Sequence, residues 1–128
     1  MISIVEDDVW AREGIKDLVL SLGYRALTFE TAEDFVGSNR IADTACLITD
    51  VQLPGASGLE LQDLLRNHGH RTPIILITAY PNEKLRARAL DAGALGFLSK
   101  PFDEQTLIDC LTRAFGTAKR GDNPTLES

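Results

Sequence analysis

The sequence predicts an α/β fold in which one five-stranded parallel sheet, of strand order 2-1-3-4-5, is doubly wound by five helices. Five short apolar runs alternate strictly with five segments whose apolar residues recur at spacings of three and four. Such alternation indicates a parallel sheet that is covered on both faces. Polar side chains also close four of the runs, at the strand ends where open α/β sheets build their ligand sites. Right-handed crossovers leave few topologies, and the predicted order sets strands 1 and 3 side by side.

The amino-terminal part of the chain contains the first two strands and helices. Ile2–Val5 is the first strand, and a helix is predicted to follow Asp8 and to stop at Gly23. The apolar residues of that helix with helical spacing are Ala11, Ile15, Leu18, Val19 and Leu22. Residues 25–29 form the second strand. A short helix starts near Thr31, whose hydroxyl, with an acid three residues later, resembles a capping box.

The central part of the chain contains the third strand and third helix. Residues 45–49 form an apolar run, and a stretch rich in turn-forming residues follows it. Ser57 and Glu60 have the spacing of a second capping box. The helix that they open is predicted to place three leucines on one face, namely Leu61, Leu64 and Leu65.

The last two strands and helices follow Pro73. Residues 74–77 form the fourth strand, and the next helix is predicted to start at residues 81–83, run to Ala92 and stop at Gly93. Gly96–Ser99 is the fifth strand. Asp103 is predicted to cap the last helix, whose inward residues are Leu107, Ile108, Leu111 and Phe115.

Polar residues at four strand ends form the candidate site. Glu6 and Asp7 follow the first strand, and Asp50 follows the third. Thr78 closes the fourth run and Lys100 the fifth. Three acids, one hydroxyl and one amine at one edge of a sheet suit a divalent cation together with a phosphoryl group.

Composition and charge exclude several other classes of protein. The chain has 128 residues, enough for one domain, and 44% of them are apolar. A net charge of −6 makes it a poor non-specific binder of nucleic acid. The sequence has neither a secretory leader nor a long apolar run, so we expect a cytoplasmic location and no membrane contact. Cys46 and Cys110 lie in apolar contexts and are expected to be buried free thiols.

The helical periodicity fades near the carboxyl terminus. We therefore expect a folded domain over residues 1–115 and a polar tail or linker over residues 116–128.

Several motifs, taken together and in order, resemble the receiver domain of bacterial two-component response regulators. They are Ile4-Val5-Glu6-Asp7-Asp8, Asp50 with Leu53-Pro54-Gly55 and Gly58, Thr78-Ala79, and Lys100-Pro101. The sequence of residues 89–102 is most similar to that of the nitrogen-fixation regulator subfamily. The resemblance covers residues 1–115 and implies the flavodoxin-like fold predicted above.

The resemblance also implies a phosphorylation site. Asp50 would accept a phosphoryl group from a phosphohistidine on a sensor histidine kinase or phosphotransfer protein. Glu6 and Asp7, with Asp50 and the backbone carbonyl of Gln52, would hold Mg²⁺. Glu6 departs from the commoner aspartate at its position, a change that the family tolerates.

Further residues take roles by the same resemblance. Thr78 and Lys100 would bind phosphoryl oxygens, and Phe97 would be the aromatic switch residue. The Lys100–Pro101 peptide bond is expected to be cis. Gln52 and Tyr80 would flank the phosphoryl group and tune its hydrolysis.

The output surface is expected over residues 83–114, where opposite charges on the last two helices could pair in a phosphorylation-dependent homodimer. Ordinary solvated helix faces remain the alternative. Members of the subfamily commonly carry a helix-turn-helix domain for which these residues leave no room. Any contact with DNA would therefore need a missing output domain. Both a stand-alone receiver and a piece of a longer regulator remain open.

The resemblance implies a phosphoacceptor switch and not an enzyme, apart from its own phosphotransfer and autodephosphorylation. Two other functions are the alternatives. An aspartate-nucleophile phosphatase of the haloacid dehalogenase type typically carries a second Asp two residues after the nucleophile, where this chain has Gln52. A flavin-binding carrier would need a phosphate-cradling loop after the first strand, where this chain has three acids.

Overall fold

The structure, a computed structural model, describes residues 1–115. It contains a five-stranded sheet of order β2-β1-β3-β4-β5 in which every neighbouring pair is parallel. The elements in chain order are β1 (Ile2–Val5), α1 (Val9–Ser21), β2 (Ala26–Phe29), α2 (Ala32–Gly37), β3 (Cys46–Asp50), α3 (Gly58–Asn67), β4 (Ile74–Thr78), α4 (Glu83–Asp91), β5 (Gly96–Ser99) and α5 (Glu104–Phe115). The predicted fold class and strand order are confirmed. The predicted tail over residues 116–128 lies outside the described residues.

Two apolar layers bury the two faces of the sheet. Side chains of successive strand residues point to opposite faces, so β3 contributes Ile48 to one layer and Leu47 to the other. The first layer packs the sheet against α1 and α5, and includes Ile15 and Leu111. The second packs it against α2, α3 and α4, and includes Phe35 from α2. This double cover explains why the strands read as nearly continuous apolar runs.

Side-chain caps begin the helices close to where the sequence predicts. Asp8 accepts a hydrogen bond from the Ala11 amide at 2.8 Å, and Thr31 accepts one from the Asp34 amide at 2.9 Å. Ser57 makes both bonds of a capping box with its partner three residues later. These caps satisfy amide groups that have no partner within the helix.

Several element boundaries and two side-chain positions differ from the prediction. Ile108, which was predicted to face inward, is only half-buried, because Leu107, Cys110 and Leu111 form the buried face of α5. β3 runs one residue further than expected, so Asp50 is paired with Ile77 of β4 rather than lying beyond the strand. Leu64 is 37% exposed, although it was predicted to share the apolar face of α3. The buried face of that helix is centred on Leu65 and on the fully buried Gln62, which rotates Leu64 to the edge.

Burial fixes the state of the cysteines. Cys46 and Cys110 are both buried and free, as the sequence predicts. Burial raises the pKa of the Cys46 thiol to about 12, so it remains a protonated, apolar core group at neutral pH.

None of the helices within residues 1–115 is long and apolar enough to cross a membrane.

Candidate functional site

The carboxyl edge of the sheet brings the predicted site residues together. Glu6 follows β1, Asp50 ends β3, Thr78 ends β4, and Lys100 follows β5. All five strands run parallel, so their carboxyl ends lie at one edge. β1 lies directly beside β3, with Val5 opposite Thr49 in the register, and this pairing sets the acids after β1 next to Asp50.

Three carboxylates converge at this edge. One oxygen each of Glu6, Asp7 and Asp50 lies within 4.8 Å of the other two. Glu6 and Asp50 are buried, at 2% and 6% exposure, whereas Asp7 is exposed. Hard carboxylate oxygens that combine buried and open positions fit Mg²⁺, which binds few protein ligands and keeps several waters.

Lys100 contacts two carboxylates of the acidic cluster. Its ammonium nitrogen lies 2.7 Å from Glu6 Oε1 and 2.9 Å from Asp50 Oδ2. Burial lowers the pKa of Lys100, but hydrogen bonds to the two carboxylates and their charges together outweigh burial and raise it. The side chain therefore stays charged and compensates part of the negative charge of the site.

Glu6 is the most deeply buried of the acids. Burial is the main cause of its raised pKa, and the charge of Asp50 acts in the same direction. Hydrogen bonds from Lys100 and from the Asp8 amide, the latter at 3.1 Å, oppose that shift. The carboxylate is thus held in a place where additional positive charge would be favourable.

Asp50 is oriented by donors on both oxygens. The amide of Gln52 donates to Oδ1 at 3.1 Å, while Oδ2 accepts from Lys100. The carboxylate is fixed in direction and lies at the carboxyl edge of the sheet.

The hydroxyl of Thr78 both donates and accepts a hydrogen bond. It donates to Oε1 of Gln52 at 2.6 Å and accepts from the amide of Tyr80 at 3.0 Å. Thr78 itself has no exposed surface, whereas Tyr80 is 73% exposed.

Phe97 and Pro101 are close to Lys100 in the sequence. The half-buried Phe97 ring packs at the margin of the α2–α4 layer and borders a cleft with residues of α4 such as Glu83 and Arg86. The Lys100–Pro101 peptide bond is cis.

The sequence matches a known protein family. Residues 2–112 match the family model of the response regulator receiver domain. The chain belongs to this receiver-domain family. The match covers most of the chain and spans all four strand ends that contribute to the site.

Similar proteins support the family and the subfamily of this receiver domain. Nodulation protein W of Bradyrhizobium diazoefficiens is 38% identical over 114 residues, which cover 89% of this chain and 50% of that protein. The transcriptional regulatory protein FixJ of Azorhizobium caulinodans is 32% identical over 121 residues, or 94% of this chain and 57% of that protein. The predicted similarity to nitrogen-fixation regulators is confirmed. The chain spans about half the length of the curated relatives it matches.

A solved structure supports the fold. The BeF3-activated DrrB receiver domain matches with a TM-score of 0.80 and 27% identity, over 89% of this chain and 95% of that one.

Two residues of this receiver domain support the site although the sequence reasoning missed them. Arg12 of α1 donates to the backbone carbonyls of Glu6 and Asp7, at 2.9 and 3.4 Å, and so ties down the acidic loop. Glu33 of α2 accepts from the amide of Ala56 at 2.9 Å, and this hydrogen bond lowers its pKa. The only signal for Arg12 was a basic residue one helical turn after Asp8, and Glu33 gave none.

Gly58 is a third supporting residue, and its role is steric. A Cβ at this position would collide with the backbone carbonyl oxygen of Asp50. The residue was noted in the sequence only as part of a family motif.

Proposed function

We propose that this receiver domain is a phosphoacceptor switch, in which Asp50 takes a phosphoryl group from a phosphohistidine on a sensor histidine kinase or a phosphotransfer protein. The observation that carries the proposal is the convergence of Glu6, Asp7 and Lys100 on the Asp50 carboxylate. No other group of three or more acids, histidines or cysteines within residues 1–115 comes together in this way.

The chemistry requires charge to be managed at Asp50. A carboxylate oxygen forms the new P–O bond while the P–N bond of the phosphohistidine breaks, and the electron pair of that bond returns to the imidazole. Both reacting groups are anionic, so positive charge must offset their repulsion. Lys100 already contacts Asp50 at 2.9 Å and would contact a phosphoryl oxygen after a small movement.

Mg²⁺ is the cofactor that the donor set would hold. Glu6, Asp7, Asp50 and the backbone carbonyl of Gln52 supply the oxygens. The ion would neutralise charge on the carboxylate and on the transferring oxygens. Hydrogen bonds from Arg12 to the backbone carbonyls of Glu6 and Asp7 would help to keep these two carboxylates in place for the ion.

The switch is carried by Thr78 and Phe97. Thr78 would move its hydroxyl toward the phosphoryl oxygens, and the half-buried Phe97 would turn inward into the space released. That change would alter the surface over residues 83–114. Moving the population from about 1% to 99% active requires roughly 5.5 kcal/mol of differential stabilisation. New charge-assisted hydrogen bonds from Thr78 and Lys100 contribute to that stabilisation.

The output is proposed to be a partner or a second copy of the chain. Arg86 on α4 and Asp109 on α5 are charges of opposite sign on the proposed surface, as a two-fold dimer would require. Arg88, in contrast, already pairs with Asp63 of α3 at 2.9 Å.

The proposed domain plan is a receiver over residues 1–115 and a tail or linker beyond it. DNA would be reached only through a further output domain, because the chain is acidic. Buried free thiols are compatible with a reducing cytoplasm, which we propose as its location.

Autodephosphorylation is the only turnover proposed for the domain. Gln52 and Tyr80 would adjust its rate by their positions beside Thr78. A phosphatase of the haloacid dehalogenase type is not supported, because the amide of Gln52 cannot serve as its general acid.

The decisive experiment is phosphorylation of Asp50→Asn. Wild-type protein incubated with acetyl phosphate and Mg²⁺ should gain one phosphoryl group by intact-mass spectrometry, and the variant should gain none. Asp8→Asn is the matched control, because asparagine preserves the helix cap and leaves the cluster of three acids intact. Phosphoryl incorporation that survives in Asp50→Asn would refute the assignment.

A further inference from the structure

The single hydrogen of the Thr78 hydroxyl already has an acceptor. A threonine hydroxyl can donate only one hydrogen bond, although it can accept two. Thr78 accepts from the Tyr80 amide at 3.0 Å and gives its hydrogen to Oε1 of Gln52 at 2.6 Å. To bind a phosphoryl oxygen as a donor, Thr78 must therefore give up Gln52.

We infer that Gln52 is a positioning residue that holds Thr78 in the resting state and so sets how readily the domain switches. This inference rests on the proposed function of Asp50. The amide oxygen of Gln52 competes with a phosphoryl oxygen for the same hydrogen. Loading of Asp50 then exchanges one hydrogen bond of Thr78 for another, and the exchange yields less than a newly formed bond would.

The surroundings of Thr78 strengthen this competition. Thr78 is fully buried, so water has little access to its hydroxyl in place of Gln52. Gln52 also donates its backbone amide to Asp50 Oδ1 at 3.1 Å. One residue therefore touches both the phosphoacceptor and the hydroxyl that is to move toward it.

The side chain of Gln52 can be changed without disturbing the core. The residue is exposed and lies between β3 and α3. Methionine has a similar length but no strong acceptor. Gln52→Met should thus remove the competing acceptor while keeping the backbone amide that orients Asp50.

The test is the affinity for beryllofluoride, a phosphoryl mimic, at saturating Mg²⁺, measured by fluorine NMR titration. Gln52→Met should bind beryllofluoride roughly twofold to tenfold more tightly than wild type, the range expected for one hydrogen bond that no longer has to be broken. Gln52→Ala should tighten binding by a similar factor.

A double-mutant cycle separates this role from a general effect on the site. In a Thr78→Ala background the hydroxyl is gone, so Gln52→Met should leave the affinity for beryllofluoride unchanged. An effect of equal size in that background would mean that Gln52 acts through Mg²⁺ or Asp50 and would overturn the inference.

The remaining outcomes are also decisive. Equal or weaker binding by Gln52→Met and Gln52→Ala overturns the positioning role while leaving the proposed function intact. Wild-type protein that fails to bind beryllofluoride with Mg²⁺ overturns the proposed function and this inference together.

Discussion

Substitution of Gly58 by alanine should destabilise the domain at β3, the strand that ends in Asp50. Gly58 begins α3, and its amide donates to the carbonyl of Val51 at 3.0 Å. An added Cβ would collide with the carbonyl oxygen of Asp50 and lie 3.0 Å from its carbonyl carbon and 3.1 Å from the Cα of Val51. All three atoms belong to the backbone, which cannot rotate away as a flexible side chain can.

The geometry sets the size of the effect. Ordinary contact begins at 3.4 Å, so the Asp50 carbonyl carbon alone would have to retreat by at least 0.4 Å. Asp50 is paired with Ile77 of β4, so this movement would strain the parallel ladder. Overpacking of this kind costs about 1–3 kcal/mol of unfolding free energy. For a domain of about this size that corresponds to a fall in Tm of roughly 4–12 °C.

The assay is thermal unfolding followed by circular dichroism, with Gly14→Ala as the matched control. Gly14 lies exposed within α1, and a Cβ there would meet no atom within 4 Å. Alanine in the middle of a helix is favoured over glycine by about 0.5–1 kcal/mol, so the control should raise the Tm by a few degrees. The two substitutions are chemically identical and are expected to act in opposite directions.

An unchanged or higher Tm for Gly58→Ala would refute the steric argument. A fall of the same size in Gly14→Ala would show that loss of glycine, rather than contact with Asp50, is responsible.

Three further predictions concern metal binding, phosphoryl lifetime and assembly. Mg²⁺ should raise the Tm of wild-type protein by mass action, and Asp7→Asn should remove most of that rise; an equal rise in both proteins would mean that Asp7 is not a ligand. Tyr80→Ala should speed the decay of phosphorylated protein after the donor is removed, since the ring would otherwise obstruct attack by water; unchanged decay would contradict this shielding. Beryllofluoride should produce a dimer, detected by light scattering, that Arg86→Glu disrupts; a monomer in both states, with unchanged amide exchange over residues 83–114, would rule out the proposed surface.

Much of the fold could be predicted because the sequence repeats one physical pattern. Parallel strands buried on both faces need apolar runs, and crossover helices need apolar stripes, so the alternation specifies the architecture. The capping motifs at Thr31 and Ser57 marked helix starts because few residue types satisfy free amides. The meeting of Glu6 with Asp50 followed from the strand order, which sets the ends of β1 and β3 side by side.

The details that could not be predicted depend on side-chain packing and on contacts between distant segments. The hydrogen bond between Thr78 and Gln52 links residues that are 26 apart in sequence. A threonine or a glutamine can bond to many other groups, so the residue types alone do not indicate this pair. The link from Glu33 to Ala56 spans 23 residues and involves a backbone amide, which leaves no mark on residue identity. The position of Leu64 was predicted wrongly because the three leucines fit one helical stripe equally well. The burial of Gln62 shows that the centre of the buried face lies away from Leu64.

The hydrogen bonds of Lys100 make the charge balance of the site depend on complete folding of the domain. Lys100 is separated from Glu6 by 94 residues and from Asp50 by 50, yet it contacts both. During synthesis, a chain that has not yet added β5 lacks this cation, and its acidic cluster keeps its full repulsion. Under the proposed function, competence to receive a phosphoryl group would therefore require the first, third and last strands to have assembled.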